Sequence, residues 1–194
     1  MLSAAAVHLE ITFAGVLIGT AIGLPLAALL IRFPRLGRGV FLVIDAIQTV
    51  PTLAMLTFVM LAFGLNEVTV VVSIVLYTLF PITRNAYVGL TSADAGIIRA
   101  GRGLGMTPLQ IFTGIRLPLA VPMILTGIRL AVVAALAIAT TGVFIGAGGL
   151  GMLIWRGIQT RNTTMMLSGA VPVSLLAVFF EFSIGLLEKK LRRI

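Results

Sequence analysis

Few side chains in this chain of 194 residues could perform chemistry, and most of those are embedded in apolar sequence. Asp45, Gln48, Thr49, Pro51 and Thr52 gather polar groups around a proline within one apolar run. In hydrocarbon such groups turn toward a partner helix or a water-filled path. Arg129 and Glu181 are isolated charges in two later runs. A buried arginine needs relief, so Arg129 is expected to pair with Asp45 or Glu181, or to line an aqueous cavity. A proton relay would need more carboxylates, and a histidine among them. His8 and Glu10 read as an interfacial polar pair rather than as metal ligands. Cysteine is absent, which excludes disulfides and thiolate-bound metals. There is no Gly-Lys-Ser or Gly-Lys-Thr to cradle phosphate, no Ser-His-Asp set and no paired acid. Gly146, Gly148 and Gly151 match the pattern G-x-G-x-x-G, but an apolar helix precedes them and no acidic residue follows about 20 positions on. These glycines are expected to turn the chain back at a membrane surface, ahead of a short helix carrying Trp155. That tryptophan suits an interfacial anchor better than a ring face for a cationic substrate.

The elements that position these residues are membrane spans. Apolar residues make up 59% of the chain and charged residues 10%, too few charges to cover a water-facing surface. The reading is an all-α integral membrane protein, one transmembrane domain over residues 1–194. Five spans are expected, at about 7–31, 39–63, 68–83, 119–144 and 163–187, each near the roughly 20 apolar residues that cross a bilayer. Basic residues follow the first span instead of preceding it, which argues against a signal peptide.

The formal net charge of +8 is arranged by topology. Arg32, Arg35 and Arg38 follow the first span, while Arg84, Arg99, Arg102 and Arg116 flank or occupy the central loop. Lys189, Lys190, Arg192 and Arg193 close the chain. These mark the cytoplasmic side and leave Arg156 and Arg161 outside, so the amino end is expected outside and the carboxyl end inside. Anionic lipid is a secondary partner of these charges, and nucleic acid is not one. Gly15, Gly19 and Gly23 recur every four residues, giving the first span a smooth face for another helix. Pro25 and Pro51 each remove a helical hydrogen bond and are expected to bend or loosen their spans.

Between the third and fourth spans lies RAGRGLGMTPLQIFTGIRLP, Arg99 to Pro118, within a loop of about residues 84–118. Three arginines with glycine and proline turns cannot sit in lipid, and such a loop is long enough to be structured for a partner. Ser92 and Asp94 can cap a short helix running through Ile97 and Ile98 toward Arg102. Gly103 and Gly105 would end it. Thr107-Pro108 would start a second helix carrying Leu109, Ile111 and Phe112. Short helices with exposed apolar and basic residues suit a groove on a cytoplasmic partner, or, as the alternative, lipid head groups.

The spacing of this loop is similar to one found in a known family. Arg99-Ala100-Gly101, three residues, Gly105, nine residues, then Ile115-Arg-Leu117-Pro118 resembles the Glu-Ala-Ala loop of ABC importer permeases. The runs QTVPTLAML (48–56), LYTLFPITRNAY (76–87), GAGGLGMLIWRGI (146–158) and LLEKKL (186–191) resemble the osmoprotectant branch of that family, which handles glycine betaine, carnitine and choline. The similarity covers nearly the whole chain, with one departure. Arg99 stands where the family has glutamate, inverting a charge, and Gly101 replaces an alanine.

The resemblance implies a type I importer permease of the bacterial inner membrane. Its partners would be two ATP-binding subunits, a second permease and an external substrate-binding protein. The chain itself would hold no metal or cofactor, with ATP and magnesium used by the ATPases, and would catalyse nothing. Asp94, Arg99, Ala100, Gly101, Gly105, Ile115, Leu117 and Pro118 would form the coupling loop. Asp45, Gln48, Thr49, Pro51, Arg129 and Trp155 are the pathway candidates. Importers of amino acids or ergothioneine-like solutes, and an ion-coupled secondary carrier, are the rival readings.

Overall fold

The computed structural model describes residues 1–191; Arg192 and Arg193 of the basic carboxyl end lie outside the described residues. The described chain is helical throughout. Four helical stretches are long and apolar enough to cross a membrane: Leu2–Arg32, Glu67–Thr91, Pro108–Ile145 and Thr163–Leu191. A fifth exists if a bent pair counts as one span.

Helix α1 (Leu2–Arg32) packs its glycine face on α4 (Glu67–Thr91). A methyl group added at Gly15 would collide with Ile74, one at Gly19 with Thr78, and one at Gly23 would lie 2.9 Å from Ile82 Cγ2. The partner of the four-residue glycine repeat is therefore α4, held at a separation that no side chain tolerates. Pro25 is absorbed without ending α1. Helix α4 is central, because α7 (Leu117–Thr141) packs along its other side. There Gly127 brings the two backbones together, since a Cβ would sit 2.6 Å from the Pro81 carbonyl oxygen. Val16, Val70, Ile74, Val132, Ala135 and Leu136 fill the main core between these helices. Helix α9 (Thr163–Leu191) lies on α7 and on α8 (Gly151–Gln159), with most of its large apolar side chains outward.

The second expected span, drawn as continuous over 39–63, is two helices. Helices α2 (Pro34–Thr49) and α3 (Thr52–Phe63) meet at Val50-Pro51 with a bend of 105°. Proline cannot donate to the preceding turn and biases Val50 to extended geometry, which it adopts at φ −69°, ψ 127°. The carbonyls freed by the break find new donors. Thr49 Oγ1 donates to the Ala46 oxygen at 2.7 Å, and the Tyr77 hydroxyl donates to the Val50 oxygen.

Four other boundaries move, the first being the start of α1, at Leu2 instead of about 7. Helix α4 runs past the expected end at 83 to Thr91, because no breaker intervenes; Pro81 is tolerated, its carbonyl accepting from Asn85 Nδ2 at 2.7 Å. The last span continues past 187 to Leu191. The fourth starts well before 119, as part of a continuous stretch over Pro108–Ile145.

Candidate functional site

The loop after α4 folds as its polar punctuation dictates. Ser92 Oγ donates back to the Gly89 oxygen at 2.7 Å, so Ser92 closes α4 and does not cap the next helix as expected. Asp94 alone caps α5 (Ala95–Gly103): its Oδ1 accepts from the Gly96 and Ile97 amides at 2.6 and 3.2 Å. At the other end the Met106 amide reaches the Gly101 oxygen and the Gly105 amide reaches the Arg102 oxygen, both at 3.0 Å. This pair of bonds is the Schellman closure, and it places Gly105 in the left-handed region at φ +81°. No atom beyond its chain neighbours lies within 4 Å of a Cβ built there, so Gly105 is required by backbone geometry and not by crowding.

Thr107 then opens α6 (Pro108–Ile111) with a reciprocal capping box. The Thr107 amide donates to Gln110 Oε1 at 2.8 Å, and the Gln110 amide donates to Thr107 Oγ1 at 3.3 Å. A π-helical turn over Phe112–Arg116 joins α6 to α7, ending where Pro118 begins the span without an amide hydrogen. The Ile115-Arg-Leu117-Pro118 end of the motif is thus the joint that makes loop and span one rod. Arg116 staples this joint to α4 by donating from Nη1 to the Leu90 oxygen at 2.9 Å.

What the loop buries and exposes differs sharply. Ile111 and Gly101 face inward, with Ile115 and Met106 against Gly101. Leu104 and Leu109 stand 85% and 71% exposed at the tips, and Arg99 and Ala100 are also exposed. Between the loop and the end of α1 is an open cleft of about 830 Å³, walled by Arg32, Arg102 and Arg116 with Ile31, Met106 and Phe112. The arrangement presents an apolar, positively charged surface that this chain leaves uncovered.

The pathway candidates separate into three places. Gln48, Thr49 and Pro51 lie together on the exposed face of the α2–α3 break, with Asp45 one turn earlier. Arg129 is elsewhere. It joins α7 to α9, with Nη1 3.2 Å from Glu181 Oε1 and Nη2 3.4 Å from Glu188 Oε2. The expected Glu181 partner is present, Asp45 is not, and Glu188, two turns beyond Glu181 on the same face, is a second counter-ion that sequence reasoning missed. Trp155 is half-buried on α8, its ring edge-to-face with Phe144 at 4.9 Å.

The turn before α8 uses two glycines in left-handed geometry, Gly146 at φ +81° and Gly149 at φ +95°. Gly149 takes the role expected of Gly148 and Gly151. It also covers His8, which is fully buried with its imidazole Nδ1 3.0 Å from where a Gly149 Cβ would lie. Glu10 is exposed, so the two do not form an interfacial pair. Among the described residues no group of three His, Asp or Glu could hold a metal ion.

Sequence reasoning also missed what α2 and α4 build together. The Arg84 guanidinium carbon lies 5.0 Å from the Phe41 ring centre, and Phe41 meets Tyr87 edge-to-face at 5.2 Å. Only the adjacency of the two helices reveals this cluster.

Comparison with known proteins places this geometry. The family described as "Binding-protein-dependent transport system inner membrane component" matches residues 11–193. The glycine betaine/carnitine/choline transport system permease protein OpuCD of Bacillus subtilis (strain 168) is 43% identical, over 95% of this chain and 81% of that protein. The choline transport system permease protein OpuBD of the same organism is 41% identical, over 95% and 82%. Among solved structures, the MetNI methionine ABC transporter in inward-facing conformations superposes with a TM-score of 0.86 at 23% identity, over 98% of this chain and 95% of that one.

Proposed function

Because the chain belongs to the family of binding-protein-dependent transport system inner membrane components, we propose that it is the permease subunit of an ATP-driven importer for quaternary-ammonium osmoprotectants of the betaine, choline and carnitine kind. The single observation that carries the substrate class is the likeness, over nearly the whole chain, to permeases named for those compounds. The geometry of the loop supports the mechanism. Leu109 projects from a helix whose backbone continues without interruption into α7, and Leu104 from the turn just before it, so a push on the loop is a push on the span. Two permeases, two ATPases and an external binding protein make up the assembly. ATP and magnesium act in the ATPases, and this chain supplies no catalytic group.

In this reading the loop end of the bundle faces the cytoplasm and the Gly146–Gly151 turn faces outward. Closure of the ATPases on ATP drives the loop from Asp94 to Pro118, and the spans switch from inward-open to outward-open to receive substrate. Hydrolysis resets them. The pathway runs along the exposed break at Gln48, Thr49 and Pro51 and past Asp45. Arg129 is neutralised by two carboxylates away from that face, so its part is to hold α9 on α7, and Trp155 packs the outer end.

Purification in gentle detergent from the native membrane tests the reading. An ATPase and a substrate-binding protein should accompany the chain, and the isolated binding protein should titrate with betaine, carnitine or choline. A chain that purifies alone and moves solute on a proton gradient without ATP would overturn it.

A further inference from the structure

Against the α2–α4 face lies a cleft of about 560 Å³, walled by Arg38, Phe41, Asp45, Arg84 and Tyr87. Its charges are unusual for a membrane bundle. Asp45 Oδ1 is buried and has no hydrogen-bond partner. Arg38 and Arg84 line the same cleft, yet among the described residues neither forms an ion pair with Asp45 or any other carboxylate. Asp45, partly buried, thus forgoes the pairing that would offset its desolvation, while Arg38 and Arg84 stand exposed without a carboxylate partner among these residues. A ligand carrying both charges would supply it.

The shape of the chemistry is that of a small zwitterion. A carboxylate beside aromatic rings receives a quaternary ammonium group, whose attraction to a ring face is electrostatic and needs no hydrogen-bond donor. Tyr87 lines the cleft together with Asp45; Phe41, edge-to-face with Tyr87 at 70°, is buried and carries the Arg84 guanidinium 5.0 Å from its ring centre. Guanidinium groups receive a carboxylate in fork geometry. We propose that this cleft is a binding site within the permease for zwitterionic quaternary-ammonium solutes: Asp45 and Tyr87 take the ammonium end, while Arg84, held over Phe41, and Arg38 take the carboxylate end. The site discriminates within the proposed substrate class, because betaine and carnitine carry both poles and choline carries only the first. The inference rests on the osmoprotectant reading.

Direct binding measures it. The assembled, nucleotide-free complex in nanodiscs, without binding protein, is titrated with radiolabelled glycine betaine, carnitine and choline. Arg84→Gln should weaken betaine and carnitine by about tenfold or more, the scale of a lost charge-assisted hydrogen bond, and choline by no more than about twofold. Asp45→Asn should weaken all three. Arg38→Gln, on the opposite helix, repeats the Arg84 comparison should Arg84→Gln fail to assemble. Equal effects on choline and betaine, or no binding to the wild-type complex, would overturn the proposal. Titration of the isolated binding protein separates the two levels. If it binds these solutes and the complex does not, the cleft assignment fails alone; if it binds none of them, the substrate class fails and takes the cleft with it.

Discussion

One methyl group placed at two glycines four residues apart should give opposite results. Gly101 lies in α5, and a Cβ there would be 3.1 Å from Ile115 Cδ1 and from Met106 Sδ. Both are ends of flexible side chains that can shift by a few tenths of an ångström. Replacing a helical glycine with alanine also recovers about 0.5–1 kcal/mol of backbone entropy, so Gly101→Ala should be neutral or slightly stabilising. Gly105 has open space around it but sits at φ +81°. Alanine there costs about 1–2 kcal/mol in the left-handed region, and valine costs more. The Schellman closure would open, freeing the Gly101 and Arg102 carbonyls and uncoupling the direction of α5 from that of α6. The two alanine variants should therefore differ by roughly 2 kcal/mol in loop stability. The assay is ATP-driven uptake by the reconstituted complex, together with retention of the ATPase in detergent. Gly105→Ala should lower both and Gly105→Val should nearly abolish them, with the spans still inserted, while Gly101→Ala behaves as wild type. Full coupling in Gly105→Val, or loss in Gly101→Ala, would refute the reasoning.

Arg129→Met leaves Glu181 and Glu188 without a counter-ion on one face of α9, and the assembled complex should lose about 2 kcal/mol of stability in detergent unfolding, less than the roughly 3–5 of a fully buried pair because both Arg129 and Glu181 are partly exposed. Adding Glu181→Gln and Glu188→Gln to that variant should restore most of the loss. Gly19→Val drives a branched side chain into Thr78 and should cost about 1–3 kcal/mol by overpacking, read as a lower midpoint with unchanged membrane insertion. Tyr77→Phe removes the donor to the Val50 oxygen at the α2–α3 break and should cost about 1–3 kcal/mol, the penalty of an unsatisfied carbonyl. Cysteine pairs spanning the break would then show altered cross-linking.

The parts of the fold written in local chemistry were legible. The caps at Asp94 and Thr107, the stop at Gly105 and the apolar length of α1 all follow from residues near in sequence. So does the smooth face at Gly15, Gly19 and Gly23, although its partner, α4, does not. Pro51 announced a disturbance but not a bend of 105°, nor that Tyr77, 27 residues away, would donate to the Val50 oxygen freed there. His8 looked interfacial because the sequence places it near Glu10, whereas the turn at Gly149, remote in sequence, folds over it at the same end of the bundle. The cluster of Phe41, Arg84 and Tyr87 was illegible for the same reason. Its members come from helices whose adjacency is set by packing through α4, and Arg84 alone reads as a topological charge.

The central claim is that the loop from Asp94 to Pro118 is the grip of an ATPase on this permease. The chain contains no cysteine, so a single one introduced at Leu104 or Leu109, the most exposed apolar positions of the loop, reports its neighbour without background. After oxidative or bifunctional cross-linking in native membranes, the adduct should contain the chain and one ATP-binding subunit, with a yield that changes between the nucleotide-free and ATP-bound states. Cysteine at both positions giving only unreacted chain or lipid-phase labelling, with the ATPase present in the same membranes, would contradict the claim.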